Sequence, residues 1–329
     1  MNDNHGLSPS VVETIAGFTA GISSTLAVHP LDVIKTRLQV DRFSSSRIGS
    51  SLRIARGIAR NEGGIIAGFY RGLTPNLVGN SVSWGLYFLW YSNIKDTLHV
   101  FHGSRKEGGL GSLDYFVASG VAGVLTAFLT NPIWVIKTRM LSTGSHVPGA
   151  YPSLVAGVRA IYRSEGISGF YRGMIPALFG VSHGALQFMA YEKLKHYRAG
   201  TAAPQLEHAT SSSAVGVPGN GNLNGSAARS KDLRLSNMDY LVLSGASKIF
   251  AGCVTYPYQV LKARLQTYDA AGTYRGVVDA MGQIWRKEGL IGFYKGLGPN
   301  MVRVLPSTWV TFLVYENVRI YLSMGPIDG

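Results

Sequence analysis

Two basic residues, Arg303 and Lys248, interrupt stretches of the chain that are otherwise apolar. A positive charge inside an apolar segment of membrane length is costly, so such a residue usually lines a cavity or pairs with an acid. No acidic residue lies in the middle of either stretch, and Pro299 and Pro306 place Arg303 well inside the last one. The two cations therefore predict contact with an anionic ligand. The alternative for either residue is a structural ion pair, and Lys248 would then face a helix interface instead of a cavity.

The composition indicates what kind of element must hold these cations. Only 15% of the 329 residues are charged and 41 are Gly, whereas soluble domains carry about 25% charged residues, and Gly is common where membrane helices approach closely. The formal net charge is +13, but the basic residues recur in three loops instead of one patch, which disfavours nucleic-acid binding. Cys253 is the sole cysteine, so a disulfide within the chain is excluded and a packing role is expected.

Three types of sequence block recur in the same order and divide the chain into repeats. The first block spans Pro30–Arg37 and returns at residues 132–139 and 257–264. An acid-Gly pair and an aromatic-base-Gly sequence follow each copy, and a Tyr-containing block closes each repeat. The predicted repeats are residues 1–102, 112–198 and 237–323. The stretch 199–236, which is rich in Ser, Gly, Ala and Asn, is predicted to be a disordered linker.

Each repeat contains two apolar stretches of about 20 residues, the length that spans a bilayer. The six helices are expected near residues 11–39, 76–99, 113–141, 177–197, 238–266 and 300–322. A Pro lies inside the first, third and fifth, and it should kink each helix at an equivalent depth. Amphipathic segments at 52–61, 154–164 and 277–287 are expected to form short helices along the matrix-side membrane surface. The predicted fold is thus an all-α membrane protein with six transmembrane helices in three tandem repeats related by threefold pseudosymmetry.

The distribution of positive charge predicts the orientation of the chain. The segments 35–72, 137–173 and 262–296 hold 19 of the 31 Lys and Arg residues, and positively charged loops stay on the side from which they are not translocated. In a mitochondrial protein that side is the matrix. With an even number of spans, both termini then face the intermembrane space.

The recurring blocks resemble the signature of the mitochondrial carrier family, which is Pro-x-acid-x-x-base, then acid-Gly, then aromatic-base-Gly, in three copies. The resemblance covers nearly the whole chain. It implies a six-helix barrel around one central cavity and a monomer without a bound cofactor. It also implies exchange of metabolites across the inner mitochondrial membrane by alternating access.

The resemblance implies a network of gate residues on the matrix side. Its members here are Asp32, Lys35, Gln39, Trp134, Lys137, Gln259, Lys262 and Gln266. Asp32 is expected to face Lys137, but Trp134 and Gln259 stand where the family pattern has acids. The loss of two acids should weaken this gate, because buried charges are stable only while they are paired. The alternative is that the charges satisfy buried helix ends.

The missing acids change what the remaining gate residues can do. Lys262 lacks an ionic partner, and Lys35 is expected to keep only a hydrogen bond with Gln259. Gln39 and Gln266 are placed to support the gate, whereas the equivalent residue of repeat 2 is a Leu. The cytosolic-side network is expected to comprise Lys95, Glu192, Lys195, Glu316 and Arg319, and a Ser replaces its third acid.

The aromatic-base-Gly blocks lie next to helix N-termini, which attract phosphate groups. By resemblance, Gly72, Gly173 and Gly296 are expected to hold the head groups of cardiolipin. A simple glycine turn is the alternative, and the two roles are compatible.

The even-numbered helices supply the substrate contacts of the family. The positions implied here are Gly79, Asn80, Ser83, Tyr87, Phe179, Gly180, His183, Gln187, Arg303 and Ser307, and the sequence adds Lys248. They recur at intervals of about four residues, so each set lies on one helix face. Small residues and aromatic rings leave room for a planar ring system, and an Arg can clamp a phosphate. For His183 a buried structural role is an equal alternative.

The segment 132–139 resembles a branch of the family that carries nucleotide-like and pterin-like cofactors. The segments 182–192, 247–251 and 256–259 resemble the members of that branch that carry FAD and folate. This favours FAD as the substrate, with folate next and NAD or pyrimidine nucleotides as further alternatives. An ion- or proton-conducting pore is an alternative from another class, and a purely structural membrane protein is a third. An enzyme is disfavoured, because the sequence has no His/Cys/acid cluster, no nucleotide-binding glycine loop and no catalytic triad.

Overall fold

The computed structural model describes residues 9–42, 49–102, 111–144, 150–211 and 237–324. Within these residues the regular elements are all helices. Repeat 1 contains α1 (Pro9–Val40), α2 (Ser50–Asn61), α3 (Ile65–Phe69) and α4 (Leu73–His102). Repeat 2 contains α5 (Ser112–Ser142), α6 (Leu154–Glu165), a 3-10 helix (Ile167–Tyr171), α7 (Met174–Phe179) and α8 (Ser182–Ser211). Repeat 3 contains α9 (Asn237–Leu265), α10 (Ala270–Thr273), α11 (Val277–Gly292), α12 (Leu297–Val302) and α13 (Val304–Met324).

The helices form two compact units. One comprises residues 1–182 together with 254–329, and the other comprises residues 183–253. In the first unit α1 packs along α13, and α4 packs along α5. The second unit contains α8 and the N-terminal part of α9. All three copies of the first block belong to the first unit.

Each amphipathic segment between the long helices forms a helix and buries one equivalent isoleucine. Ile58 of α2, Ile161 of α6 and Ile284 of α11 are at most 1% exposed. Each packs against apolar residues near the end of the long helix before it, as Ile58 does against Val33 and Leu38. Burying such a side chain contributes about 1.5–3 kcal/mol. Three small cores therefore fix the short helices, and the predicted helices are confirmed, while their place along a membrane surface stays a prediction.

The helices that contain the recurring prolines match the sequence prediction to within two residues at each end. Pro30, Pro132 and Pro257 lie inside α1, α5 and α9. Val11–Val40 and Leu113–Ser142 are long and apolar enough to cross a membrane. In the described part of the chain no further helix meets both conditions, whereas six were expected.

The expected spans at 177–197 and 300–322 are interrupted, which corrects the sequence prediction of unbroken helices. Gly180 and Val181 separate α7 from α8, and Arg303 separates α12 from α13. Pro306 explains the second break, because it has no N–H to donate to the carbonyl of Val302, and its ring clashes with that group. Near the first break the N–H of Gly180 makes a tighter i to i−3 hydrogen bond of 2.9 Å.

The end of repeat 2 also differs from expectation. α8 continues to Ser211, so residues 199–211 of the expected disordered linker are helical. Ala, Gln and Glu in this stretch are good helix formers. Residues 212–236 of the expected linker lie outside the described residues.

Candidate functional site

Three arginines join the repeats at one end of the long helices. Arg37, Arg139 and Arg264 are the last residues of the three first blocks, and each donates from Nε to a backbone carbonyl of the next repeat. The acceptors are Leu141, Gln266 and Gln39, at 3.1, 3.1 and 2.9 Å respectively. These bonds run from repeat 1 to 2, from 2 to 3 and from 3 to 1, so they close a ring. We call the end of α1, α5 and α9 that carries this ring the motif end.

The same arginines hold the glutamates of the acid-Gly pairs in their own repeats. The ion pairs are Arg37 with Glu62, Arg139 with Glu165 and Arg264 with Glu288. Burial alone would raise the pKa of Glu288, but hydrogen bonds from Arg264 and Lys295 outweigh it and hold the pKa below its ordinary value. Hydrogen bonds from Arg139 and Arg172 likewise lower the pKa of Glu165 against the effect of burial. Glu165 and Glu288 therefore stay charged near neutral pH. The three ion pairs tie the short helices to the motif end.

The arginine ring was not assigned from the sequence. Its signal was present, because an Arg ends all three copies of the first block. The same Arg position recurs with an acid-Gly pair some 25 residues later, as in Arg37 and Glu62. A charge that recurs in every repeat predicts an interaction that recurs in every repeat.

Arg303, the cation expected to contact the ligand, is paired with Asp32. The Asp32 side chain is 10% exposed and that of Arg303 is 34% exposed. The expectation that no acid neutralises Arg303 is therefore wrong, and the ion pair considered as the alternative is present. The two residues are 271 positions apart in the chain. Only the packing of α1 beside α12 and α13 brings them together.

Lys137, the expected partner of Asp32, attracts the Asp32 carboxylate electrostatically and also approaches an aromatic ring. Lys137 Nζ lies 4.8 Å from the ring centroid of Trp134, and Lys262 Nζ lies 5.8 Å from it. Both distances permit cation–π attraction. Trp134 Nε1 donates to Thr130 Oγ1 at 3.2 Å, which orients the indole. The residue that replaces an acid thus still contacts two lysines, through its ring instead of a charge.

The second replaced position, Gln259, keeps a neutral contact. Lys35 Nζ donates to Gln259 Oε1 at 3.2 Å, which is the hydrogen bond that the sequence predicted. Gln266 Oε1 accepts from Thr138 Oγ1 at 2.8 Å. Gln39 is buried, and its backbone carbonyl belongs to the arginine ring. The two glutamines therefore lie at the motif end, and their role in gating stays a prediction.

Positive charge exceeds negative charge among the residues around Asp32, Trp134 and Gln259. We call the following residues the gate cluster: Asp32, Lys35, Trp134, Lys137, Gln259, Lys262 and Arg303. The cluster contains four basic side chains and one carboxylate. One carboxylate cannot neutralise four cations, so the cluster attracts an anion.

Two expected contact residues of α4 lie near α5. Gly79 faces the indole of Trp134, and a Cβ added there would be 3.4 Å from the ring. The glycine therefore leaves space for Trp134. The hydroxyl groups of Tyr87 and Ser119 are 2.9 Å apart and link the two helices. Both residues are thus placed by the contact of α4 with α5.

The breaks in the even-numbered spans carry three more of the expected residues. Ser307 follows the break at Arg303, and its Oγ lies 3.0 Å from Ser24 Oγ of α1. Phe179 ends α7 with an exposed ring, and Gly180 stands in the break that follows. Polar groups and an aromatic ring therefore accompany the points where the backbone is irregular.

Two of the remaining expected contact residues lie on α4, and the other three belong to the second unit. The side-chain amide of Asn80 donates to Asn76 Oδ1 at 3.3 Å. Ser83 Oγ is buried and has no hydrogen-bond partner among the described residues. His183, Gln187 and Lys248 belong to the second unit. Their contribution to a common site with Arg303 therefore stays a prediction.

The three glycines of the aromatic-base-Gly blocks make left-handed turns. Gly72, Gly173 and Gly296 have φ values of +72°, +70° and +85°, a region that favours Gly. A Cβ at Gly296 would also lie 2.8 Å from the carbonyl oxygen of Lys35. The glycine turn considered as the alternative is thus present at all three positions, and the lipid-binding role stays a prediction.

The residues expected in the cytosolic-side network make local contacts. Glu316 lies 3.9 Å from Arg319, and Glu192 lies 3.6 Å from His196 of the same helix. Lys95 and Lys195 are half-buried. The ion pairs of these two glutamates lie within single helices, so they do not join repeats, unlike the bonds at the motif end.

Comparison with known proteins agrees with the repeated architecture. The sequence matches the mitochondrial carrier protein family over residues 7–101, 109–201 and 234–325. It is 34% identical to the mitochondrial FAD carrier protein of Saccharomyces cerevisiae, over 96% of this chain and 98% of that protein. It is 36% identical to the chloroplastic folate transporter 1 of Arabidopsis thaliana, over 94% and 95%. It is 35% identical to the mitochondrial nicotinamide adenine dinucleotide transporter 2 of Arabidopsis thaliana, over 92% and 77%.

The matched segments, one in each repeat, and the helices they form define a membrane transporter built from tandem repeats. The chain belongs to the mitochondrial carrier family. Members of this family are transporters and not enzymes. Membership also makes the chain an all-α membrane protein, including the helices that are less apolar than α1 and α5.

Proposed function

We propose that this chain carries FAD across the inner mitochondrial membrane by alternating access. The gate cluster supports the proposal most, because its four cations share one acid beside the indole of Trp134. FAD combines two phosphate groups with two planar ring systems. Its phosphates suit the excess positive charge, and its rings suit contact with Trp134 and Tyr87.

Arg303 is the residue through which the substrate acts on the gate in this proposal. In the described structure Arg303 is paired with Asp32. A phosphate offers a guanidinium the same bidentate contact as a carboxylate does. Substrate binding then replaces one ion pair of Arg303 by another and releases Asp32 towards Lys35, one helical turn away. The difference in substrate affinity between the two gate states shifts their populations.

Uptake of labelled FAD into liposomes that contain the purified protein tests the proposal. We expect saturable uptake, abolished in Arg303→Ala and partly retained in Arg303→Lys. Arg53→Ala is the matched control, because Arg53 is an exposed residue of α2. Ion conductance without saturable FAD uptake would support a pore instead. Normal uptake by Arg303→Ala would remove Arg303 from the site.

Folate is the second candidate substrate. A folate transporter is among the similar proteins at 36% identity, and folate joins carboxylates to a pterin ring. A ligand that binds the folded protein raises its Tm. We therefore expect FAD to raise the Tm more than FMN, folates, NAD or pyrimidine nucleotides at equal concentration. A larger shift with folate or NAD would replace FAD as the proposed substrate.

We infer that the motif end faces the matrix and that both termini face the intermembrane space. The three segments that hold 19 of the 31 basic residues support this orientation. Similar proteins are named as mitochondrial in some cases and chloroplastic in others. We expect protease to remove a C-terminal tag from mitoplasts whose inner membrane is intact. Protection of the tag would reverse the orientation.

We further propose cardiolipin as a lipid partner of a monomeric carrier at Gly72, Gly173 and Gly296. A cavity of about 130 Å³ lies at the third position and is lined by Ser50, Ser51 and residues 294–299. The N-terminus of α2 opens onto it, and such an end attracts phosphate. Native mass spectrometry should show one chain with bound cardiolipin, and cardiolipin should raise the Tm more than phosphatidylcholine. Equal shifts would contradict the lipid assignment.

A further inference from the structure

One ion pair at the motif end belongs to neither gate network. Arg42 follows α1, Asp269 follows α9, and Arg42 Nη2 lies 3.0 Å from Asp269 Oδ1. Each residue stands twelve positions after the proline of its own first block. The equivalent residue of repeat 2 is Gly144. The pair thus joins repeats 1 and 3 at equivalent positions, and repeat 2 has no side chain to offer there.

Arg42 is held by more than this ion pair. Its guanidinium donates to Thr273 Oγ1 at 3.0 Å and to Thr267 Oγ1 at 3.4 Å. The guanidinium carbon also lies 5.0 Å from the ring centroid of Tyr274. The Arg42 side chain is 19% exposed, whereas that of Asp269 is 41% exposed. An exposed ion pair alone contributes little, but the additional bonds fix Arg42 against repeat 3.

The pair borders a cavity formed by all three repeats. The cavity has a volume of about 190 Å³ and is lined by residues 40–42, 142–143 and 267–269. These residues follow or end α1, α5 and α9. Because three repeats bound this space, it widens only when the repeats separate. A contact that spans two of them therefore resists opening.

The Arg42–Asp269 pair joins the same two repeats between which the gate cluster has lost an ion pair. Gln259 of repeat 3 replaces the acid that would pair with Lys35 of repeat 1, and only a hydrogen bond remains between them. Arg42 and Asp269 supply an ion pair across the same two repeats. We propose that this pair is a second closing contact of the motif end, which parts each time repeats 1 and 3 separate during transport.

Arg42 acts in this proposal as a positioning residue. It lies beyond the gate cluster and acts on the stability of the closed state. Weakening the contact should lower the barrier to opening without changing the substrate site. For Arg42→Ala we expect a maximal uptake rate about two- to fivefold higher, the factor that corresponds to one partly exposed ion pair. The KM should stay within about twofold of the wild type.

A charge exchange tests the contact without any substrate. We expect Arg42→Asp and Asp269→Arg each to lower the Tm by about 2–4 °C, a shift typical of a small loss of stability. The double exchange should recover at least half of the combined loss. Arg53→Asp changes the net charge as Arg42→Asp does, at an exposed site on α2, and should leave the Tm within about 1 °C. If the Tm loss of the double exchange equals the sum of the two single losses, the proposed contact is wrong.

A reversible cross-link tests whether the contact must part. In a Cys253→Ser background, which removes the sole cysteine, Arg42→Cys and Asp269→Cys are joined with a bifunctional thiol reagent that dithiothreitol cleaves. We expect FAD uptake to fall at least about tenfold and to return after reduction. Full uptake by the cross-linked protein would overturn the proposal. The cross-link experiment rests on the proposed function, so FAD uptake by the wild type is measured first. If the wild type takes up no FAD, that result counts against FAD as the substrate. The charge exchange still tests the Arg42–Asp269 contact in that case.

Discussion

The same position of the first block holds an acid in repeat 1 and an indole in repeat 2, and the two make different contacts. Asp32 forms an ion pair with Arg303, whereas the ring of Trp134 lies near the ammonium groups of Lys137 and Lys262. In the proposed function a substrate anion competes directly with Asp32 for Arg303, because a guanidinium binds a phosphate as it binds a carboxylate. The ring of Trp134 carries no net charge, so no anion has to be displaced in repeat 2. On this proposal the side of repeat 1 exchanges partners, while the side of repeat 2 keeps its lysines in place.

The largest difference between the two sides should appear when Asp32 is neutralised. Removing one partner of a buried ion pair costs about 3–5 kcal/mol, and the exposure of Arg303 reduces this to roughly 1–3 kcal/mol. Asp32→Asn should therefore lower the Tm clearly in a thermal unfolding measurement without substrate. Adding Arg303→Gln should recover part of the loss, because it removes the guanidinium that Asp32→Asn leaves without its carboxylate partner.

The matched control for this change is Glu316→Gln, which removes an acid whose ion pair lies within its own helix. It should change the Tm much less. An Asp32→Asn protein as stable as the wild type would show that the Asp32–Arg303 pair does not stabilise the closed state.

On the side of repeat 2, the Tm should depend on the aromatic ring of Trp134 and on its size. A cation–π contact contributes about 0.5–2 kcal/mol, so Trp134→Leu should lower the Tm by less than Asp32→Asn does. Trp134→Phe keeps a smaller ring and should retain about half of the stabilisation. Thermal unfolding of both variants separates the ring from simple packing, since equal losses for Leu and Phe would indicate that packing alone matters.

Restoring an acid in repeat 3 should make its position in the first block behave as Asp32 does in repeat 1. Gln259→Glu gives Lys35 an ionic partner and should strengthen the closed gate, because a hydrogen bond becomes an ion pair. We expect initial FAD uptake to slow by about three- to tenfold and the Tm to rise. Asn61→Asp, which adds the same charge at an exposed residue of α2, serves as the control. An unchanged or faster rate for Gln259→Glu would count against the gate assignment.

The smallest effect concerns the glutamates outside the gate cluster. The pKa of Glu165 and that of Glu288 are both lowered by their arginine partners. A lowered pKa stabilises the folded state above the ordinary value of about 4.5, and this contribution is lost as pH falls through the lower value of the folded state. The Tm of the wild type should therefore decrease as the pH is lowered from about 5 to about 3. Glu288→Gln should weaken that pH dependence, and an unchanged dependence would assign it to other carboxylates.

Features that depend on recurring spacing were accessible from the sequence. The three repeats and the short helices near residues 52–61, 154–164 and 277–287 follow from patterns that occur in every repeat. The Lys35–Gln259 hydrogen bond follows from the family resemblance, because Gln259 stands where the family pattern has an acid. The arginine ring was accessible in the same way, because its three members occupy one position of the first block. Local periodicity and repetition thus carry most of the fold.

Features that break the repetition were not accessible. Arg303 has no equivalent charge in the other repeats, and its pairing with Asp32 depends on how α1 packs beside the break between α12 and α13. Arg42 and Asp269 each look like a loop residue until the ends of α1 and α9 meet. Contacts between single, unrepeated residues far apart in the chain require the packing of the helices to be known.

The proposed mechanism depends on competition between Asp32 and the substrate anion for Arg303. Titration of FAD with the purified protein, followed by the quenching of flavin fluorescence, measures this competition. We expect Asp32→Asn to bind FAD about tenfold more tightly than the wild type, since removing the internal competitor leaves Arg303 available, and Arg303→Ala to bind it at least tenfold more weakly. Unchanged or weaker binding by Asp32→Asn would contradict the proposed mechanism.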